Sequence, residues 1–270
     1  MADQPKTVQE NRWQRLREYT DARIGLGRSG ISLPTQHHLD FQLAHAAARD
    51  AVKRPIDWRE LDAVMQASGV PALALHSQAE DRNQYLQRPD LGRKLNADSA
   101  QQLMRWREQH GAPQVVIVIA DGLSSTAVEV QAPKMVQQLL PDIAQLNVQT
   151  ALLCRVDQGR VAIGDDIAER TGADHLVLLV GERPGLSSPD SLGIYYTFHA
   201  GQDSSDADRN CVSNIRPAGL AFAEASRRLC WLMREAAKLG YSGVKLKDDS
   251  ASDILEAPTH NNFLVPKADG

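Results

Sequence analysis

A chain of 270 residues can form one large domain or two modest ones with a proper core. Its 42% hydrophobic and 24% charged residues give the balance of a soluble globular protein. A net charge of -4 with 5% aromatic residues speaks against nucleic acid, a membrane surface or a base-stacking role.

The start, MADQPKTVQENRW, carries no apolar signal core, and no segment approaches the roughly 20 apolar residues of a membrane span, so a cytoplasmic protein is expected. Residues 7–24 have helical spacing, with Trp13, Leu16, Tyr19 and Ile24 near one face. GLGRSG at 25–30 then matches G-x-G-x-x-G letter for letter. A dinucleotide fingerprint must follow a strand and open a helix, whereas this one follows a helix and precedes Ile-Ser-Leu-Pro. A turn using glycines at positive φ is the reading preferred. Helical patterns resume after Pro34 to about residue 53, and again from Asp57 with Leu61, Val64 and Met65. His37, His38 and His45 lie on the first of these. H-E-x-x-H is absent, and packing or hydrogen bonding at an interface is preferred to metal binding.

From residue 113 the pattern changes. VVIVIADG (115–122), TALLCRV (150–156) and LVLLVGE (176–182) are apolar runs separated by helical patterns, as a parallel sheet covered on both faces requires. A further strand is expected at Ile194–Phe198, a helix at 218–239, and loops with a terminal arm from Gly240. The expectation is an α/β, doubly wound, mostly parallel sheet over 113–270, with an N-terminal helical region over 1–112.

Asp121-Gly122 and Gly181-Glu182 stand where strands end, and in open α/β sheets ligands bind outside the carboxyl ends of strands. Ordinary βα turns are the alternative for either alone. Glu182 needs hydrogen-bond donors or a cation if it is partly desolvated. Arg183 could supply one, in a plain surface pair or otherwise, and so could a ligand rich in amide N–H groups. Pro184 and Gly185 fix the turn. No G-x-S-x-G marks Ser124 or Ser125 as a nucleophile. The three cysteines show no C-x-x-C spacing, which fits a reducing compartment. Cys154 and Cys230 fall in apolar patterns, while Cys211, in the polar loop DRNCVSNIRP, is placed like a site residue without a signature for a general base.

YLQRPDLGRKL (85–95), VVIVIADGLSS (115–125), GRVAIGD (159–165), LLVGERPGL (178–186) and DRNCVSNIRPAG (208–219), collinear over about residues 11–240, resemble the small, or light, subunit of ethanolamine ammonia-lyase. The tail from about residue 241 is distinctive, and the enteric N-terminal extension is absent. The resemblance implies a Rossmann-like α/β subunit of an adenosylcobalamin-dependent lyase that turns ethanolamine into acetaldehyde and ammonia by a radical route. A barrel-shaped large subunit binds ethanolamine, and the corrinoid lies between the two subunits. Carried over position by position, the small subunit's corrinoid contacts fall on Val161, Glu182 and Cys211. No D-x-H-x-x-G histidine is present, so the cofactor is expected base-on, with no metal ligand and no catalytic residue from this chain. The N-terminal helices and YLQRPDLGRKL are the expected contacts with the large subunit. The missing extension favours a freely cytoplasmic complex over one packaged in a bacterial microcompartment. A non-enzymatic α/β module for a nucleotide or another small ligand is the competing reading, and the sequence shows it no Gly-rich loop after a strand.

Overall fold

The computed structural model describes residues 8–250. Its sheet has six strands, β1 (Ala72–His76), β2 (Val115–Ala120), β3 (Ala151–Asp157), β4 (His175–Gly181), β5 (Leu192–Phe198) and β6 (Asn210–Ile215), in the order β1-β3-β2-β4-β5-β6. β1, β3, β2 and β4 pair in parallel, while β5 runs antiparallel to β4 and β6 antiparallel to β5. The α/β class is as expected, but the sheet is mixed. The cause is the connection 182–191, which holds no helix and is too short for the crossover that a parallel return needs.

β2 is buried along its whole length, and successive side chains point to opposite faces. Ile117 and Ile119, with Val177 and Leu179 of β4, join one apolar cluster with α2 (Arg59–Ala67), α5 (Ser125–Ala144) and α7 (Phe222–Leu239). Val116 and Val118, with Leu176 and Leu178, join the other with α4 (Ala97–His110) and α6 (Ile163–Thr171). The continuous apolar runs read from the sequence are therefore central strands with helices on both faces.

Two strands lie where none was expected. β1 falls inside the segment read as helical and pairs with β3, so the sheet extends into the N-terminal region. It is an edge strand of five residues with only Leu75 buried, too short and too exposed for a clear pattern. β6 replaces the polar loop read around Cys211. Only Val212 and Ile215 turn inward, and an irregularity in the pairing between Leu192 and Ile194 breaks the alternation.

The N-terminal helix is shorter than its spacing suggested: a 3-10 helix spans Arg12–Glu18, and Trp13, Leu16, Tyr19 and Ile24 are all exposed. Gly25, Gly27 and Gly30 have positive φ, in keeping with a turn. The three histidines ride on α1 (Thr35–Lys53), whose only buried residue is Ala51, and His38 pairs with Gln42 at 2.9 Å. α3 (Arg82–Gln87) precedes α4. The described part of the tail holds a 3-10 turn at Gly243–Lys245, and the arm expected over 251–270 lies outside the described residues.

Candidate functional site

Ala120, Val156 and Val180 stand side by side in β2, β3 and β4, so the three central strands end level. Their turns line a cleft of about 1250 Å³, into which β5 and β6 also contribute Tyr195 and Cys211. Val161, from the β3–α6 turn, Glu182, from the end of β4, and Cys211 all line this cleft. Residues 50 positions apart in the chain thus meet because the parallel strands share one carboxyl edge and β6 folds back beside them.

Glu182 is placed by close backbone contact. The N–H of Leu123 donates to the carbonyl of Gly181 at 2.9 Å, and Gly122, at φ 59°, has no room for a Cβ against that carbonyl. Gly181 is equally constrained by the carbonyl of Ser124. Gly122→Ala is therefore expected to destabilise the fold by roughly 3 kcal/mol, since both the positive φ and the contact disfavour a side chain. A urea-unfolding midpoint within error of the parent would contradict this account of the turn.

The carboxylate of Glu182 is half-buried. Its Oε2 accepts from Ser191 Oγ at 2.5 Å and from the N–H of Asn214 at 3.3 Å. Arg183, the partner suggested by adjacency, is exposed and forms no ion pair with it. The support comes instead from β5 and β6, and Gly193 leaves the space that the carboxylate occupies. Oε1 keeps its acceptor capacity for a ligand.

Cys211 stands opposite Tyr195 in the β5–β6 pair. Desolvation pushes its thiol pKa up, the hydrogen bond with Tyr195 opposes the shift, and nearby Glu182 adds to it. A neutral thiol offers packing and a weak polar contact rather than a thiolate nucleophile.

Asp121 does not share the cleft with Glu182, as its position at a strand end suggested. It is 1% exposed and lies beneath the cleft. Its carboxylate accepts from the N–H groups of Gln158 at 3.1 Å and Gly159 at 2.9 Å, and pairs with Arg82 at 3.3 Å. Asp121 thereby holds the turn that presents Val161. Burial pushes its pKa up to about 6, although Arg82 and the two backbone donors pull the other way.

The residues missed from sequence are mostly cationic. Arg82 and Arg160 lie over the Tyr85 ring at 4.5 and 4.4 Å, and desolvation pushes that phenol up to about 12. Arg93 and Lys94, within the stretch read as a subunit contact, also line the cleft. Arg209, 5% exposed at its side chain, is paired with Asp165. Apart from Arg82, each sits inside a stretch that carries the resemblance, but nothing local distinguishes any of them from a surface charge.

A sheet that opens at its strand ends into a wide, mixed polar and apolar cleft has the arrangement in which α/β proteins generally hold their ligands. The ethanolamine ammonia-lyase light chain family model matches residues 10–247, and the chain belongs to that family. It is 50% identical over 264 residues to the ethanolamine ammonia-lyase small subunit of Ralstonia nicotianae, covering 97% of each chain. It is also 50% identical to that of Azotobacter vinelandii, over 95% of this chain and 96% of the relative. The small subunit of Pseudomonas fluorescens is 48% identical over 97% of this chain and 98% of its own length. Among the described residues no helix is long and apolar enough to cross a membrane.

Proposed function

We propose that this chain is the small subunit of an adenosylcobalamin-dependent ethanolamine ammonia-lyase, forms part of the cobalamin pocket, and works with a large subunit that binds ethanolamine. The observation that carries the reading is the convergence of Val161, Glu182 and Cys211 on one cleft of about 1250 Å³. That volume exceeds the usual span for a drug-sized ligand, in keeping with a large corrinoid. A corrin rim bears many amides, and the free Oε1 of Glu182 is an acceptor for their N–H groups. Val161 supplies apolar surface and Cys211 a neutral edge. The residues present fit the group.

Held by Val161, Glu182 and Cys211, adenosylcobalamin would supply the radical chemistry that the protein groups cannot. This chain's part is to bind, orient and exclude water: Glu182 fixes the corrin rim, the Asp121-braced turn fixes Val161, and the β5–β6 pair closes one side. His175 sits at the amino end of β4, away from the cleft, with its ring paired to the Tyr196 hydroxyl at 2.9 Å, so it would not displace the cofactor's own base. The parallel strands β1 to β4 with helices on both faces support calling the cofactor domain Rossmann-like.

Contact with the large subunit is assigned to the N-terminal arm and α1, where Trp13 is 69% exposed and Leu43 72% exposed beside Leu39 and Phe41. Large apolar side chains left in water in this way are available to an interaction partner. A cytoplasmic complex is the reading proposed, with packaging in a bacterial microcompartment as its alternative.

Co-expression with a large subunit tests the reading. The purified pair is expected to bind adenosylcobalamin and release ammonia from ethanolamine. A pair that does neither would leave the non-enzymatic ligand-binding module as the better account.

A further inference from the structure

The cleft carries an imbalance of charge that the corrin contacts do not use. Six cations line it: Arg93, Lys94, Arg160, Arg170, Arg183 and Arg209. Arg170 pairs with Asp166 at 3.0 Å, and Arg209 with Asp165 and Asp206. Among the described residues the other four have no carboxylate partner, and the one lining carboxylate left without a cation is Glu182. In a chain of net charge -4, this cleft is locally cationic.

Three of the unpaired cations are held together. The N–H of Arg160 donates to the carbonyl of Gly92 at 2.8 Å. A Cβ on Gly92 would meet the Arg160 side chain at 3.0 Å and the Tyr85 ring at 3.2 Å, so the chain passes against Arg160 and continues directly into Arg93 and Lys94. The N–H of Leu95 then donates to Asp166 Oδ2 at 2.9 Å, which ties the segment to α6. Arg160 is itself fixed, lying 4.4 Å from the Tyr85 ring centroid and donating through Nη2 to the Tyr85 carbonyl at 2.8 Å. Its buried Nε has no partner. Arg160 also sits in the turn between β3 and the amino end of α6, whose backbone dipole favours negative charge at the same place.

A guanidinium fork held flat, a flexible ammonium and a second guanidinium, all without carboxylates, suit a tetrahedral oxyanion. We propose that Arg93, Lys94 and Arg160 form a phosphate subsite of the cleft. Resting on the cofactor reading above, the group it takes is the phosphodiester of the cofactor's nucleotide loop.

The test uses the co-expressed two-subunit complex and equilibrium dialysis with two probes, adenosylcobinamide phosphate, which keeps a phosphate, and adenosylcobinamide, which lacks it. The parent complex is expected to hold the phosphate form about tenfold tighter. In the Arg93→Gln/Lys94→Gln variant that gap is expected to shrink to about twofold with adenosylcobinamide affinity unchanged, while Arg93→Lys keeps most of it. Both substituted side chains are exposed, so the fold should be kept. An undiminished gap in the double variant would overturn the subsite. Inorganic phosphate that binds the complex without displacing the phosphate-bearing probe would assign the corner to a free phosphate and overturn the nucleotide-loop assignment. If neither probe bound the parent complex, the cofactor reading itself would fall.

Discussion

Glu182→Ala is expected to weaken cobalamin binding by the assembled complex roughly 30-fold, or about 2 kcal/mol, while the two subunits still co-purify. Oε2 is already held by Ser191 and the Asn214 amide, so the carboxylate is presented in one orientation with Oε1 free. Removal takes away an acceptor from the amide rim and leaves Ser191 Oγ without its partner. Glu182→Gln keeps the shape and one acceptor oxygen, and is expected to lose less. Equilibrium dialysis gives the affinity and size-exclusion chromatography the assembly. Unchanged affinity in Glu182→Ala would remove this residue from the pocket.

The second large effect is expected in stability. Arg82→Ala leaves Asp121 buried without its cation, at a cost of about 4 kcal/mol near neutral pH and a fall of roughly 10 °C in Tm. Arg82 also donates from Nε to the Val52 carbonyl at 2.6 Å and from Nη2 to the Leu123 carbonyl at 3.2 Å, so its loss loosens the turns after β2 and β3 together.

The pH dependence has a definite sign. The pKa of Asp121 is raised in the folded protein to about 6 from 3.8, so between these values the folded state holds more of the proton. This group's favourable contribution is complete below about pH 4 and is lost as pH rises through about 6, a change on the order of 3 kcal/mol. Arg82→Ala removes a lowering influence and should carry that loss to higher pH. Asp121→Asn should flatten the slope over the same interval relative to the parent. Thermal unfolding from pH 4 to 8 reads all three proteins, and parallel curves for parent and Asp121→Asn would show that Asp121 is not the titrating group.

The central strands were legible because β2 and β4 are buried on both faces, and full burial demands unbroken apolar runs. β1 and β6 were not, since an edge strand needs only Leu75, or Val212 and Ile215, to face the core. The direction of β5 was written in the length of a connection rather than in any pattern. For the site, the strand-end position of Glu182 was readable, but its partners were not. Ser191 and Asn214 reach it through strand pairing, at separations of 9 and 32 residues, whereas the adjacent Arg183 forms no ion pair with it. Asp121 looked equivalent to Glu182, yet it turns under the sheet edge to bind the Gln158 and Gly159 amides. The cationic corner had no local signal, because only the fold brings Gly92 against Arg160.

A structure of the two-subunit complex loaded with adenosylcobalamin would test the central claim most directly. The corrin is expected against Val161, Glu182 and Cys211, base-on, with Glu182 Oε1 within hydrogen-bond reach of a peripheral amide. A corrin bound away from the strand-end cleft, touching none of these three residues, would contradict the account.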